Sequence, residues 1–183
     1  MLNPIVYLFL LAFEFFFVIA ITIYLISLLF SSFKGSPYVP TKSDEADKIL
    51  QAANLKTGQR FLDLGCGDGR LVQKAVQQYK VEGTGIDINP VILFWAKLKA
   101  KWAKTNNIVF MRQNIFAADL RNYDVIYLFL FPDLLQKLKS KLSTQTKPNV
   151  LIISHGFQIE GWDKYCYKSL RHKPFPTYYY RLA

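Results

Sequence analysis

The chain of 183 residues has few cysteines, few acids and no repeats. Its two cysteines, Cys66 and Cys166, are too few for a disulfide scaffold. Neither belongs to a paired spacing that would hold zinc, and no metal site is expected. The mark of disorder, low hydrophobicity with high charge, is also missing: 51% of residues are hydrophobic and 20% charged. Secreted disulfide modules, zinc fingers and acidic disordered tails are thereby excluded. Acid is scarce, with 13 Asp and Glu against 23 Lys and Arg and a net charge of +10. That balance attracts polyanions, either nucleic acid or anionic lipid headgroups, and does not by itself choose between them. The length suits one compact domain with an appendage.

Charge is most nearly absent near the N-terminus. Residues 4–30 hold one charged side chain, Glu14, and every Lys and Arg lies from Lys34 onward, leaving +11 on the remainder. The run exceeds the roughly 20 residues needed to cross a hydrocarbon core about 30 Å thick. It is apolar on every side, and a domain of about 150 residues has no interior to surround so long a helix. A cleaved signal peptide would need a basic leading region, a core of about 7–15 residues and a small-residue cleavage site, and none of these is present. The expectation is an uncleaved single-pass transmembrane anchor over residues 1–33. Glu14 then reads as a protonated, interface-near or helix-contact carboxyl, because a charge inside the span is costly. No basic side chain precedes the span, whereas Lys34 and Lys42 follow it closely. The positive-inside rule therefore faces residues 34–183 to the cytoplasm.

Ser31 to Lys42 reads as a linker broken by Gly35, Ser36, Pro37 and Pro40. Asp44 to Ala53 has helical apolar spacing, with Ser43 or Asp44 as its cap. Beyond Gln59, strand-like and helix-like stretches alternate. Strands are expected at Phe61–Leu64, Gly83–Asp87, Ile108–Met111, Asp124–Leu130 and Asn149–Ser154. Helices are expected at Leu71–Tyr79, Pro90–Ala103 and Asp133–Leu142. Apolar strands separated by helices specify a mainly parallel sheet covered on both faces, a doubly wound α/β fold. Tyr165–Leu170 and Thr177–Leu182 have no helix between them and read as a terminal antiparallel hairpin.

The loop Asp63-Leu-Gly65-Cys-Gly67-Asp-Gly69 joins the first strand to its helix. Glycines there allow a tight turn and let a ligand approach the main chain at a helix N-terminus. A dinucleotide fingerprint needs its third glycine at position 70, where Arg70 stands. Asp63 would repel a pyrophosphate but suits a ligand carrying an ammonium and a sulfonium, such as S-adenosylmethionine. Asp87 closes the second strand, where a carboxylate can accept both ribose hydroxyls, although NAD would use that position too. Singly, each of these residues also reads as a cap or a turn; the whole set on consecutive strands does not.

With those residues the chain resembles the class I, Rossmann-like S-adenosylmethionine-dependent methyltransferases, over roughly Pro37 to Ala183. The resemblance implies a seven-stranded sheet ending in the antiparallel hairpin. It makes Asp63, Gly65, Gly67 and Gly69 the first cofactor motif and Asp87 the ribose-binding acid. It puts Asn114 in the place of the acid that holds the adenine amino group in many members. Pro37-Tyr-Val-Pro-Thr41 and Leu128-Phe-Leu-Phe-Pro132, together with the apolar N-terminus, narrow the likeness. They resemble the membrane-associated protein-lysine methyltransferases of the adenine nucleotide translocase and ATP synthase c-subunit. That likeness implies that Tyr38 and Thr41 fold over the cofactor; the plain alternative is a linker.

The end of the fourth strand faces the transferred methyl in this fold. Phe129-Leu-Phe-Pro132-Asp133 lacks the polar residue that grips a base amine in nucleic-acid amino-methyltransferases, which lowers a nucleic-acid reading despite the charge. The apolar mouth from Phe129 to Pro132, with the rings of Phe129 and Phe131, suits the stem of a lysine, and Asp133 either holds the incoming ammonium or caps the next helix, the cap being favoured. His155 reads as a satisfied loop residue or a base, and His172 as part of a headgroup-facing basic patch. Tyr178 to Tyr180 read as strand faces and core rather than a stacking platform. Lys97, Lys99, Lys101 and Lys104 read as a solvated or lipid-facing helix flank. The expected function is methyl transfer to a lysine of an integral membrane protein, with the bilayer as a further partner. A lipid or quinone methyltransferase and a non-catalytic cofactor-binding scaffold are the alternatives.

Overall fold

The structure, a computed structural model, describes residues 3–33, 39–171 and 173–182. They fall into two units, Met1–Tyr38 and Val39–Ala183. The first is helix α1, Pro4–Phe33. Its stretch Pro4–Ser27 is long and apolar enough to cross a membrane. At about 1.5 Å per residue, 24 residues reach about 36 Å, somewhat more than a hydrocarbon core. Ser31–Phe33, expected in the linker, continue this helix: the first breaker, Gly35, comes only after them.

The second unit begins with α2 (Ser43–Ala53), then β1 (Arg60–Leu64), α3 (Arg70–Tyr79), β2 (Glu82–Asp87), α4 (Pro90–Trp102) and β3 (Ile108–Arg112). It continues with β4 (Val125–Leu128), α5 (Pro132–Gln145), β5 (Leu151–His155), β6 (Cys166–Leu170) and β7 (Thr177–Arg181). The sheet has seven strands in the order β3-β2-β1-β4-β5-β7-β6. β1 to β5 run parallel, and β7 pairs antiparallel with both β5 and β6. This is the doubly wound sheet with a terminal hairpin that the alternation of elements specifies.

The pleat of β1 divides the core. Phe61 packs with Ile49 and Leu50 of α2, Val72 and Ala75 of α3, and Leu93 and Ala96 of α4. Leu62 and Leu64 point the other way, with Leu135, Leu138 and Leu142 of α5. Strands apolar on both faces thus need helices on both faces, which the alternating chain supplies. Because the order reverses between β1 and β4, the carboxyl ends of these two strands open a crevice, the usual ligand position in such sheets.

Helix starts depart from expectation in two places. Lys42, not Ser43 or Asp44, occupies the cap position of α2 and makes no side-chain cap bond. Thr41, held by Tyr127 and Arg70, fixes where the chain turns helical, and Asp44 and Glu45 instead lie in the positive first turn. β4 ends at Leu128 rather than Leu130, and α5 starts at Pro132 with Phe131 at its cap. Proline suits a first helical position, which places Asp133 inside the first turn instead of at the cap. Asn89 does cap α4, accepting from the amides of Val91 and Ile92.

Leu135 has no exposed surface and lies on the α5 stripe that closes the second core. Leu135→Ala is expected to cost about 2–5 kcal/mol of unfolding free energy, the usual range for a buried leucine cavity. Asp133→Asn should change stability by less than about 0.5 kcal/mol, as surface substitutions do. Denaturant unfolding of both variants in the same detergent checks the contrast.

Candidate active site

Asp63 lies on β1 level with Gly85 of β2 and Tyr127 of β4. The pleat turns it to the face covered by α2, α3 and α4. It is 2% exposed. No described residue donates a hydrogen bond to it, and burial, reinforced by Asp87 and Asp68, holds its carboxyl well above the usual carboxylate range. A carboxylate without a partner at the mouth of a crevice is a seat for a cation from outside the chain.

Asp87 ends β2 and serves the loop as well as the crevice. One of its oxygens accepts from the Gly67 amide at 2.9 Å, the other from the Asn89 amide at 2.8 Å. Burial raises its pKa while the amides of Asn89, Gly67 and Ile88 draw it back. The loop itself is pinned by the amides of Gly65 and Cys66, both donating to the Ile86 carbonyl. Gly65 (φ 83°), Gly67 (φ 53°) and Gly69 (φ 71°) are all left-handed. A Cβ on Gly69 would lie 2.5 Å from the Phe110 ring, and one on Gly65 3.1 Å from Leu130. The loop therefore closes tightly over the core, and its free side leads straight into the N-terminus of α3.

The third acid of the crevice is already neutralised. Asp68 pairs with Arg70 at 2.8 Å and Lys99 at 2.6 Å, which hold it at about 2 against the opposing effect of burial. Lys99 is thus tied to the loop, a correction to its reading as solvated or lipid-facing flank. Arg70, the residue that breaks the dinucleotide fingerprint, also donates from Nη1 to the Thr41 carbonyl at 3.1 Å. The Thr41 hydroxyl lies 3.4 Å from that of Tyr127, beside Asp63 in the sheet. The structure thus brings Thr41, Asp63, the three glycines and Asp87 together. Composition offered no signal for the Arg70–Asp68–Lys99 cluster beyond the misplaced arginine.

Tyr38 and His172 lie outside the described residues. Asn114 follows β3 at the same end of the sheet, next to Gln113, whose amide donates to the Asp87 carbonyl. Its exposed side chain accepts from the Phe116 amide and caps a short 3-10 turn, so one acceptor position of its oxygen is occupied and one is left.

On the other side of the crevice, Phe129 packs edge-on to His155 (4.5 Å between ring centres) and to Phe175 (5.4 Å). Phe131 meets Phe157 at 6.0 Å. Pro132 and Asp133 lie exposed beyond this cluster. His155 is not in a loop: it is the last residue of β5, fully buried, with Nδ1 2.8 Å from the Thr177 hydroxyl. Phe157 and Phe175 escaped sequence reading because they come from two loops far apart in the chain. Tyr179 and Tyr180 are core residues of β7, as expected.

The ANTKMT methyltransferase domain family matches residues 63–166. A protein-lysine N-methyltransferase of Saccharolobus islandicus is 32% identical over 129 residues, covering 69% of this chain and 80% of that protein. The mouse adenine nucleotide translocase lysine N-methyltransferase is 28% identical over 127 residues, 69% of this chain and 55% of its own length. The crystal structure of an RNA methyltransferase from Salinibacter ruber with S-adenosyl-L-homocysteine superposes with a TM-score of 0.75 and 30% identity. It covers 79% of this chain and 94% of that one.

The residues present fit S-adenosylmethionine: an unpartnered acid for positive charge, a left-handed glycine loop that opens onto a helix N-terminus, and a second acid with lone pairs left for ribose hydroxyls. Because burial raises the Asp63 carboxyl and a cationic ligand favours its ionised form, binding is linked to loss of that proton. S-adenosylmethionine affinity is therefore expected to climb as pH rises from the ordinary carboxylate range through the raised value, then level off. The ligand-free chain should lose stability over the same window, since the raised pKa favours the folded state only below it. Asp63→Asn should weaken binding at least about tenfold, because hydrogen bonds to charged groups contribute about 1.5–3 kcal/mol. It should also flatten the pH dependence. Calorimetry across pH checks both outcomes, and an unchanged slope in the variant would remove Asp63 from the site.

Proposed function

The chain belongs to the ANTKMT methyltransferase domain family, and on that premise we propose that it methylates a lysine side chain of an integral membrane protein at the bilayer surface. It is an S-adenosylmethionine-dependent methyltransferase; the cofactor supplies an electrophilic methyl group on a sulfonium. We assign Thr41, Asp63, Gly65, Gly67, Gly69, Asp87 and Asn114 to the cofactor side of the crevice. Phe129 belongs to the acceptor side, with Pro132 and Asp133 on its outer rim.

The observation that carries the lysine reading is the ring cluster of Phe129, His155 and Phe175 at the end of β4. An apolar wall holds the methylene stem of a lysine in line and keeps water from its amine, so that proximity and desolvation do most of the work. The relatives from Saccharolobus and mouse are named for lysine acceptors, which supports the same reading. An RNA acceptor is the second reading, favoured by the name of the Salinibacter protein and by the +10 charge. Against it stands the lack of a polar residue at 129–132 to grip a base amine.

Helix α1 serves as a single-pass anchor with the domain on the cytoplasmic side, where the cations that follow the span belong. The nine residues 34–42 between α1 and α2, each adding at most ~3.6 Å, then keep the crevice near the bilayer. Tethering raises the effective concentration of membrane acceptors.

Native membranes from a deletion strain, incubated with the full chain and tritiated S-adenosylmethionine, should carry label in protein, at lysine. Removing residues 1–33 should leave cofactor affinity unchanged and sharply reduce that labelling. Label confined to extracted lipid or to RNA would replace the lysine reading.

A further inference from the structure

Helix α4 is apolar on two sides, and the core uses only one. Ile92, Leu93, Ala96 and Ala100 are buried beneath it. At about 100° per residue, Val91, Phe94, Trp95, Leu98 and Trp102 occupy a second arc on the opposite side. Phe94 is 62% exposed, Trp95 44% and Trp102 69%. The rings of Phe94 and Trp95 pack against one another and leave their outer edges bare. Lys97 and Lys101, both exposed, border this stripe, and Lys104 follows the helix end. From Asp87 to Asp119 the chain contains no acid between them but five cations, of which Lys99 is engaged by Asp68.

We infer that this face of α4 is a second, interfacial membrane contact, which docks flat into the headgroup layer of an anionic bilayer. The inference rests on the reading of α1 as a membrane span. Its chemistry is specific to that partner. Tryptophan and phenylalanine beside lysines, with no acid in the stretch, match a layer that is apolar below and anionic above. Lysine stems lie along the apolar stripe while their ammonium groups reach phosphate. A protein partner of ordinary composition would have to bury Trp95 and Trp102 while also neutralising an uncompensated run of cations. α4 follows directly from Asp87 through the Asn89 cap, so docking it would fix the orientation of the crevice above the membrane, beyond what a tether alone can do.

Tryptophan fluorescence reads this contact directly, because Trp162, the third tryptophan, is buried and Trp95 and Trp102 are not. The full chain is reconstituted into vesicles of phosphatidylcholine and phosphatidylglycerol carrying bromines near the top of the acyl chains. Emission of the Trp162→Phe variant should shift to shorter wavelength and be quenched by these lipids, and much less so in pure phosphatidylcholine. Lys97→Gln and Lys101→Gln should each lower the ratio of docked to undocked chain about fivefold, the worth of one cation at an anionic surface. Retention of the chain in vesicles after a carbonate wash reports on α1 separately. A retained chain whose Trp95 and Trp102 are unquenched would overturn the α4 contact and leave the anchor standing. Quenching that disappears as protein is diluted within the vesicles, with cross-linking between Trp95→Cys copies, would also overturn it in favour of self-association.

Discussion

The organisation of the domain turns on a buried carboxylate that the chain does not neutralise. Asp63 sits where β1 and β4 part, inside a core that would ordinarily refuse a charge. Three acids share this small region, and the fold treats them differently. Asp68 receives two cations, Asp87 receives backbone amides, and Asp63 receives neither. With the first paired to cations and the second held by amides, one acid is left to prefer a positively charged ligand. Lys99 and Arg70 pair with Asp68 and so offset its charge beside Asp63.

The same cluster links the site to the chain entering the domain. Arg70 holds the Thr41 carbonyl, Tyr127 holds its hydroxyl, and both residues flank the crevice. Entry segment, glycine loop and β4 are therefore coupled by short contacts. Tyr127, buried and with its hydroxyl pushed well up in pKa by burial, stays neutral and meets the Thr41 hydroxyl beside Asp63. Beyond it the surface turns aromatic through Phe129, Phe175 and Phe131, so one crevice joins a charged half to a dry half. That division matches a reaction that brings a cationic donor to an amine needing desolvation.

Much of this was legible in the residues. Apolar strands alternating with amphipathic helices specify the parallel sheet, and the lack of a helix between the last two strands specifies the hairpin. Asp63, the glycines and Asp87 are close in sequence and lie on adjacent strands, so their convergence follows from local chain geometry. Groups that meet through long-range packing were not legible. Phe175 and Phe157 approach Phe129 and Phe131 from separate loops. Lys99 reaches Asp68 from the next helix, although its spacing along α4 looked like a solvated flank. Helix starts failed for a related reason: tertiary contacts at Thr41 and the proline at 132 outweighed the capping preference of nearby Ser43 and Asp133.

The central claim is that burial raises the pKa of the Asp63 carboxyl and that a cationic ligand lowers it again. Carbon-13 NMR of side-chain carboxyl groups, titrated on the full chain in detergent and assigned with Asp63→Asn, observes this directly. The account predicts a ligand-free midpoint well above the ordinary carboxylate range that falls when S-adenosylmethionine binds, and falls less with the uncharged thioether S-adenosylhomocysteine. A midpoint in the ordinary range that neither ligand moves would contradict it.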